Sequence, residues 1–109
     1  MSRDREELGR WSDPGLLVLS SLAGGEKHGY AMVTDIEAIA GVHLGPGTLY
    51  GALARLEAQG LIEPVAAQGR RRPYRITTAG AELLRGRLTT IAEVAETGLM
   101  RLRAAGAAS

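Results

Sequence analysis

The chain is 109 residues long, carries a net charge of +1 and has 45% hydrophobic but only 4% aromatic residues, with no cysteine. That length supports one domain with a modest core of Leu, Ile, Val and Ala. The composition excludes disulfides, thiolate metal sites and a cysteine nucleophile, and no apolar run approaches a membrane span or a signal-peptide core, so a cytoplasmic location is expected. Residues 1–41 carry four basic and seven acidic side chains, whereas residues 42–79 carry Arg55, Arg70, Arg71, Arg72 and Arg75 against Glu57 and Glu63. A basic cluster confined to the middle of a near-neutral chain points to an anionic partner.

Residues 1–12 are charged and lack a cap or a sustained apolar face, which reads as a flexible or short helical N-terminal arm. Asp13-Pro14 is a helix start: a carboxylate to cap the first amides, then a proline where no amide is needed. Leu16, Leu17, Leu19 and Leu22 put apolar side chains around most of this helix, so it should be buried on several sides, and Gly24-Gly25 end it. A second helix is expected over 29–40, with Tyr30, Val33, Ile36, Ile39 and Ala40 inside, Thr34, Asp35 and Glu37 outside, and Gly41 closing it.

The third helix, 46–59, has the clearest signals. Pro46 suits the first helical position, Leu49, Ala52, Leu53 and Leu56 form one apolar face, and Gly60 can end the helix in the left-handed conformation. Two helices joined by a tight Gly-containing turn match a helix-turn-helix. Runs at 61–66 and 73–77, separated by Gln68-Gly69, read as a β-hairpin in which Pro64 requires an edge strand. Thr77 or Thr78 then caps a long helix, 78–104, and 105–109 read as a disordered tail.

The expected fold is therefore mainly α with a small β-hairpin: a winged helix-turn-helix over 13–77 plus a C-terminal dimerisation helix. Leu84, Leu88, Ile91, Ala95, Gly98 and Leu102 recur at 4,3 spacing, widened by Leu83, Val94 and Leu99. That is more apolar surface than so small a domain covers, and pairing with a second copy would bury it. Trp11, the single tryptophan, would cover the core edge or the dimer interface, or would offer a platform for a flat aromatic effector at the dimer seam.

The exposed residues of the third helix are small: Gly47, Thr48, Tyr50, Gly51, Ala54, Arg55 and Ala58. Small residues allow close approach to DNA, and a helix N-terminus with Thr48 and Tyr50 hydroxyls beside it suits phosphate. Arg55 could take guanine, phosphate or an acid of its own surface. In the hairpin, Arg70 and Arg72 are the first candidates for DNA contact, Arg71 and Arg75 the second. The Tyr30 ring is expected in the core with its hydroxyl reaching phosphate, and His28 either caps its helix or touches the DNA backbone. His28 and His43 have no cysteine or clustered acid at ligand spacing, so no metal or other cofactor is expected. Nothing resembles a nucleophile–base–acid set, which argues against an enzyme.

These residues also place the chain beside a known family. His28-Gly-Tyr30, Gly47-Thr-Leu-Tyr50, Leu53-x-x-Leu56-Glu57-x-x-Gly60-Leu-Ile62, Arg71-Arg-Pro-Tyr-Arg75 and Thr77-x-x-Gly80-x-x-x-Leu84 lie in register across about residues 16–84. In this the chain resembles the PadR family of bacterial transcriptional regulators, in the branch with a short C-terminal helix. The resemblance implies a sequence-specific regulator: a homodimeric repressor on an inverted-repeat operator in double-stranded DNA, relieved by a small molecule. The alternative from another class is a winged-helix protein-interaction module without DNA binding, which has no need of an Arg-rich wing.

Overall fold

The computed structural model describes residues 13–66, 69 and 72–108. Its elements are α1 (Pro14–Leu22), α2 (Gly29–Ala40), α3 (Pro46–Ala58), β1 (Ile62–Pro64), β2 (Tyr74–Ile76) and α4 (Thr78–Ala108). The N-terminal arm, 1–12, lies outside the described residues.

Helix α1 is the centre of the domain. Asp13 caps it, its carboxylate accepting from the Gly15 amide at 2.9 Å. Leu17, Val18, Leu19 and Leu22 are buried around its circumference, against Met32 and Ile36 of α2 and against Leu49, Ala52, Leu53 and Leu56 of α3. Burial on every side explains why its sequence shows no polar stripe. In α2 Ile36 is buried and Val33 half-buried against the core, as the spacing predicts, but Gly29 and Met32 complete the inner face in place of Tyr30, Ile39 and Ala40. Tyr30 accordingly lies about 100° round the helix from Gly29 and is 79% exposed instead of buried, and Ile39 is exposed as well. A polar contact accounts for the shift. The Ser21 hydroxyl, buried in α1, donates to Asp35 Oδ2 at 2.7 Å and draws that carboxylate toward the α1–α2 seam.

The strands pair antiparallel with Ile62 opposite Ile76, Glu63 opposite Arg75 and Pro64 opposite Tyr74. Both are shorter than the apolar runs that suggest them. Tyr74 directs its amide and carbonyl to Lys27, in the segment between α1 and α2, so Lys27 forms a one-residue third strand on the other edge of β2. Pro64 therefore faces Tyr74 where the ladder asks for no amide, on the edge strand that proline requires.

The hairpin is joined to the helices at one backbone knot. Helix α3 ends in a Schellman motif: Gly60, at φ 75°, donates to Glu57 O, and the Leu61 amide reaches back to Leu56 O at 2.9 Å. The Leu61 carbonyl then accepts from the Thr77 amide at 3.1 Å, while the Thr77 hydroxyl donates to Gly60 O at 2.7 Å. That hydroxyl also accepts the Gly80 amide at 3.0 Å, capping α4. Gly80 packs so closely that a Cβ there would collide with the Leu61 carbonyl and lie 2.9 Å from Ile76 Cγ1.

Helix α4 begins at Thr78, where the sequence places its start, and differs from expectation in its end and in the role of Leu84. It continues to Ala108, where 105–109 read as a disordered tail, because the closing alanines have the highest helix propensity and Gly106 alone does not break the run. Leu84, expected in a dimer seam, is 5% exposed and belongs to the core of its own domain. Replacing Gly80 by alanine is expected to cost about 2–3 kcal/mol through overpacking against fixed backbone. Urea denaturation would measure that loss as a lower midpoint with an unchanged m-value.

Candidate nucleic-acid interface

With Leu49, Ala52, Leu53 and Leu56 turned inward, the outward centre line of α3 is Gly47, Gly51, Ala54 and Ala58. None has a side chain longer than a methyl group. Around Gly47 a Cβ would meet nothing within 4 Å, so the backbone itself is the surface. Thr48 and Arg55 flank this line on one side and Tyr50 and Glu57 on the other, all exposed. The guanidinium of Arg55 lies back over Gly51, its Nη1 being 3.5 Å from where a Cβ would sit. Gly45 occupies the N-cap position with no side-chain cap. The Gly47 and Thr48 amides thus have no carbonyl within the helix to bond, and they sit at the positive end of the helix dipole.

Two of the motifs meet in space. Gly29, the first residue of α2, is buried beneath Tyr50, and a Cβ on it would lie 3.2 Å from the Tyr50 hydroxyl and 3.3 Å from Leu49 Cδ2. The glycine of His28-Gly-Tyr30 thereby makes room for the tyrosine of Gly47-Thr-Leu-Tyr50. This contact brings the N-terminal ends of α2 and α3 together, with His28, Tyr30, Thr48 and Tyr50 around them. His28 is the N-cap residue of α2, in extended conformation, without a side-chain hydrogen bond to the cap.

The wing is less uniformly basic than its sequence. Arg75 pairs across the strands with Glu63 at 3.4 Å, which offsets part of its charge. Tyr74 packs against the core, so strand alternation turns Arg75 outward and Tyr74 inward. Arg72 precedes the strand and is exposed; among the described residues neither it nor Arg55 has a carboxylate at ion-pair distance. Arg70, Arg71 and Trp11 lie outside the described residues.

Elsewhere, His43 Nδ1 and Glu37 Oε1 are 2.5 Å apart, an exposed pair. Among the described residues no group of three His, Cys, Asp or Glu side chains could hold a metal, and no helix is long and apolar enough to cross a membrane. Leu88, Leu99 and Leu102 of α4 are exposed, as is Ala95, and Ile91 is half-buried. A groove lined by Asp13, Leu16, Leu83, Arg87 and Ile91 runs between α1 and α4. Sequence patterns do not disclose the Ser21–Asp35 bond, the Lys27–Tyr74 pairing or the Gly29–Tyr50 contact. The Glu63–Arg75 pair was accessible, since a hairpin register sets opposite charges face to face.

Three helices, the third presented with its small outward face, and a hairpin beside it constitute a winged helix-turn-helix. Residues 18–86 match the model of the "Transcriptional regulator PadR-like family", and the chain belongs to that family. It is 55% identical over 75 residues to an uncharacterized 37.1 kDa protein in transposon TN4556 of Streptomyces fradiae, covering 69% of this chain and 22% of that protein. It is 44% identical over 72 residues to the transcriptional regulator Rv3488 of Mycobacterium tuberculosis, covering 63% of this chain and 66% of that one. The chain thus spans less than two thirds of the length of each of these relatives. Among solved structures it is similar to a PadR family transcriptional regulator from Eggerthella lenta, with 34% identity, a TM-score of 0.68 and coverage of 93% of this chain and 89% of that one.

Gly29→Ala is expected to push the Tyr50 ring off the start of α2 at a cost of about 1 kcal/mol. A shift of the Tyr50 ring resonances together with a small fall in the urea midpoint would register it; resonances identical to wild type would contradict the packing.

Proposed function

We propose that the protein is a homodimeric transcriptional repressor that lays α3 in the major groove of an inverted-repeat operator and sets the wing against the adjacent backbone. The observation that carries this reading is the outward face of α3: a line of glycine and alanine ending in an uncapped helix N-terminus, with Arg72 and Arg75 on the neighbouring hairpin. A solvated helix has no need to be so bare. A helix that must bring its backbone to base edges and phosphates does. Thr48, Tyr50, Tyr30 and His28 would contact phosphate around the paired helix ends, Gly47 would allow the approach, and Arg55 would reach a base edge or a phosphate from the flank. Arg70 and Arg71 would add to the wing.

The second copy would pack along α4 through Leu88, Ile91, Ala95, Leu99 and Leu102. Half-sites would then lie about 10 bp apart or a multiple of it. Ligand response would use the α1–α4 groove at the dimer seam, with Trp11, two residues before Asp13 in sequence, as the proposed aromatic platform. A flat aromatic molecule favouring the DNA-incompetent dimer would release the operator.

Anisotropy of a labelled duplex, selected from genomic fragments that the protein retains, tests the DNA contacts. Arg72→Ala should weaken binding and lower the log–log salt slope by about 0.9, the share of one phosphate contact. An unchanged slope and affinity would remove Arg72 from the interface, and absence of any duplex binding at low salt would favour a protein-interaction module.

Leu99→Glu and Leu102→Glu should convert the dimer to a folded monomer in sedimentation, since both side chains are more than half exposed within one chain. A dimer that survives both would place the interface elsewhere.

A further inference from the structure

The segment between α1 and α2 contains one residue, Lys27, that touches three elements. Its backbone amide donates to Tyr74 O at 3.1 Å and its carbonyl accepts the Tyr74 amide at 2.9 Å, so it is the strand that flanks β2. Its side chain turns inward. Nζ donates to the Ser21 carbonyl at 2.6 Å, in the last turn of α1, and to the Gly25 carbonyl at 3.4 Å. It also lies 4.0 Å from Asp35 Oδ2 on α2, the same oxygen that accepts the Ser21 hydroxyl at 2.7 Å. The Lys27 side chain is 21% exposed, little for a residue whose ammonium ordinarily stays in water.

This arrangement ties the wing to the helices on the side away from the Gly60–Thr77 knot. The loop holding Lys27 leaves α1 through Gly24 and Gly25, whose amides donate to Ser21 O at 3.2 Å and Leu22 O at 3.1 Å, and it turns at Gly25 with φ 134°. Beyond Gly25 the side-chain anchor that holds the segment to α1 and α2 is the Lys27 ammonium. Tyr74 then inherits the position of the Lys27 backbone, and Arg72 and Arg75 inherit that of Tyr74.

We propose that Lys27 is a positioning residue for DNA binding, one that never meets the DNA itself: its ammonium fixes the α1–α2 segment, and the paired backbone of Tyr74 carries that position to the wing arginines. The role rests on the DNA-binding reading above, but its structural half stands without DNA. The charge of Lys27 is engaged by two carbonyls and a carboxylate, and it adds nothing to the phosphate contacts.

Two measurements on Lys27→Met, which keeps the aliphatic stem and removes the ammonium, test this. The first is amide hydrogen exchange without DNA. The Tyr74 amide should exchange about tenfold faster, as expected for losing hydrogen bonds to a charged group, while the Leu53 amide in the core of α3 keeps its protection. The second is a double-mutant cycle with Arg72→Ala on duplex binding across salt. Because Lys27 acts through the wing, the two losses should be less than multiplicative, and adding Lys27→Met to Arg72→Ala should leave the salt slope unchanged. Multiplicative losses with a further slope decrease of about 0.9 would make Lys27 a phosphate contact and overturn the proposal. So would Tyr74 exchange equal to that of wild type.

If Lys27→Met does not fold, Asp35→Asn keeps an acceptor for Ser21 and removes the charge facing Lys27, and its Tyr74 exchange should rise in the same direction. If the wild-type protein binds no duplex, the DNA-binding reading fails on that result alone, and the exchange measurement still decides whether Lys27 holds the wing.

Discussion

The Leu61 peptide is the point through which α3, the hairpin and α4 are held together. Its amide closes α3 and its carbonyl receives Thr77, with Gly80 pressed against that carbonyl from the first turn of α4. Leu61 and Thr77 are half-buried, and because their bonds share neighbouring backbone groups each leaves the others little freedom to move. The hydroxyl of Thr77 serves twice, donating to Gly60 and accepting from Gly80. One small cluster therefore ends a helix, begins a strand and starts another helix. Side-chain packing around α1 then fixes the remaining angles.

How much of this the sequence reveals depends on the kind of interaction. Element positions are legible because caps and glycines act locally: Asp13, Pro46, Gly41 and Gly60 each do what their chemistry demands of a helix end. The face of α3 is legible because four apolar residues at helical spacing define it. The face of α2 is legible only in part: Ile36 and Val33 turn inward as their spacing predicts, but a serine–aspartate bond competes with the apolar pattern, and Met32 replaces Tyr30 inside. The same limit hides Lys27: nothing in a lysine's identity says whether its ammonium turns to water or back to a helix end. Within α4 the spacing marks an apolar stripe but cannot say how much of it the chain's own core consumes, and Leu84 is on the consumed side.

The candidate site was legible as composition and only partly as geometry. Small residues on α3 and arginines on the hairpin can be read directly. That the wing tyrosine packs inward, and that Arg75 faces Glu63, follow only once register and strand face are known. The resulting surface has few groups able to discriminate bases. On the proposed reading, specificity would come largely from groove shape and from the spacing of the two copies, with positioning contacts supplying the affinity.

Helix α4 has 31 residues, and at 1.5 Å per residue it is about 46 Å long, well beyond the small domain that holds its first turns. It is therefore a lever whose fulcrum is the Leu61–Gly80 contact. A swing of roughly 10° about that fulcrum displaces the far end by about 7 Å, roughly two base-pair rises. An anchor with no slack at Gly80 is thus what would keep the separation of two distant surfaces constant to within one base pair.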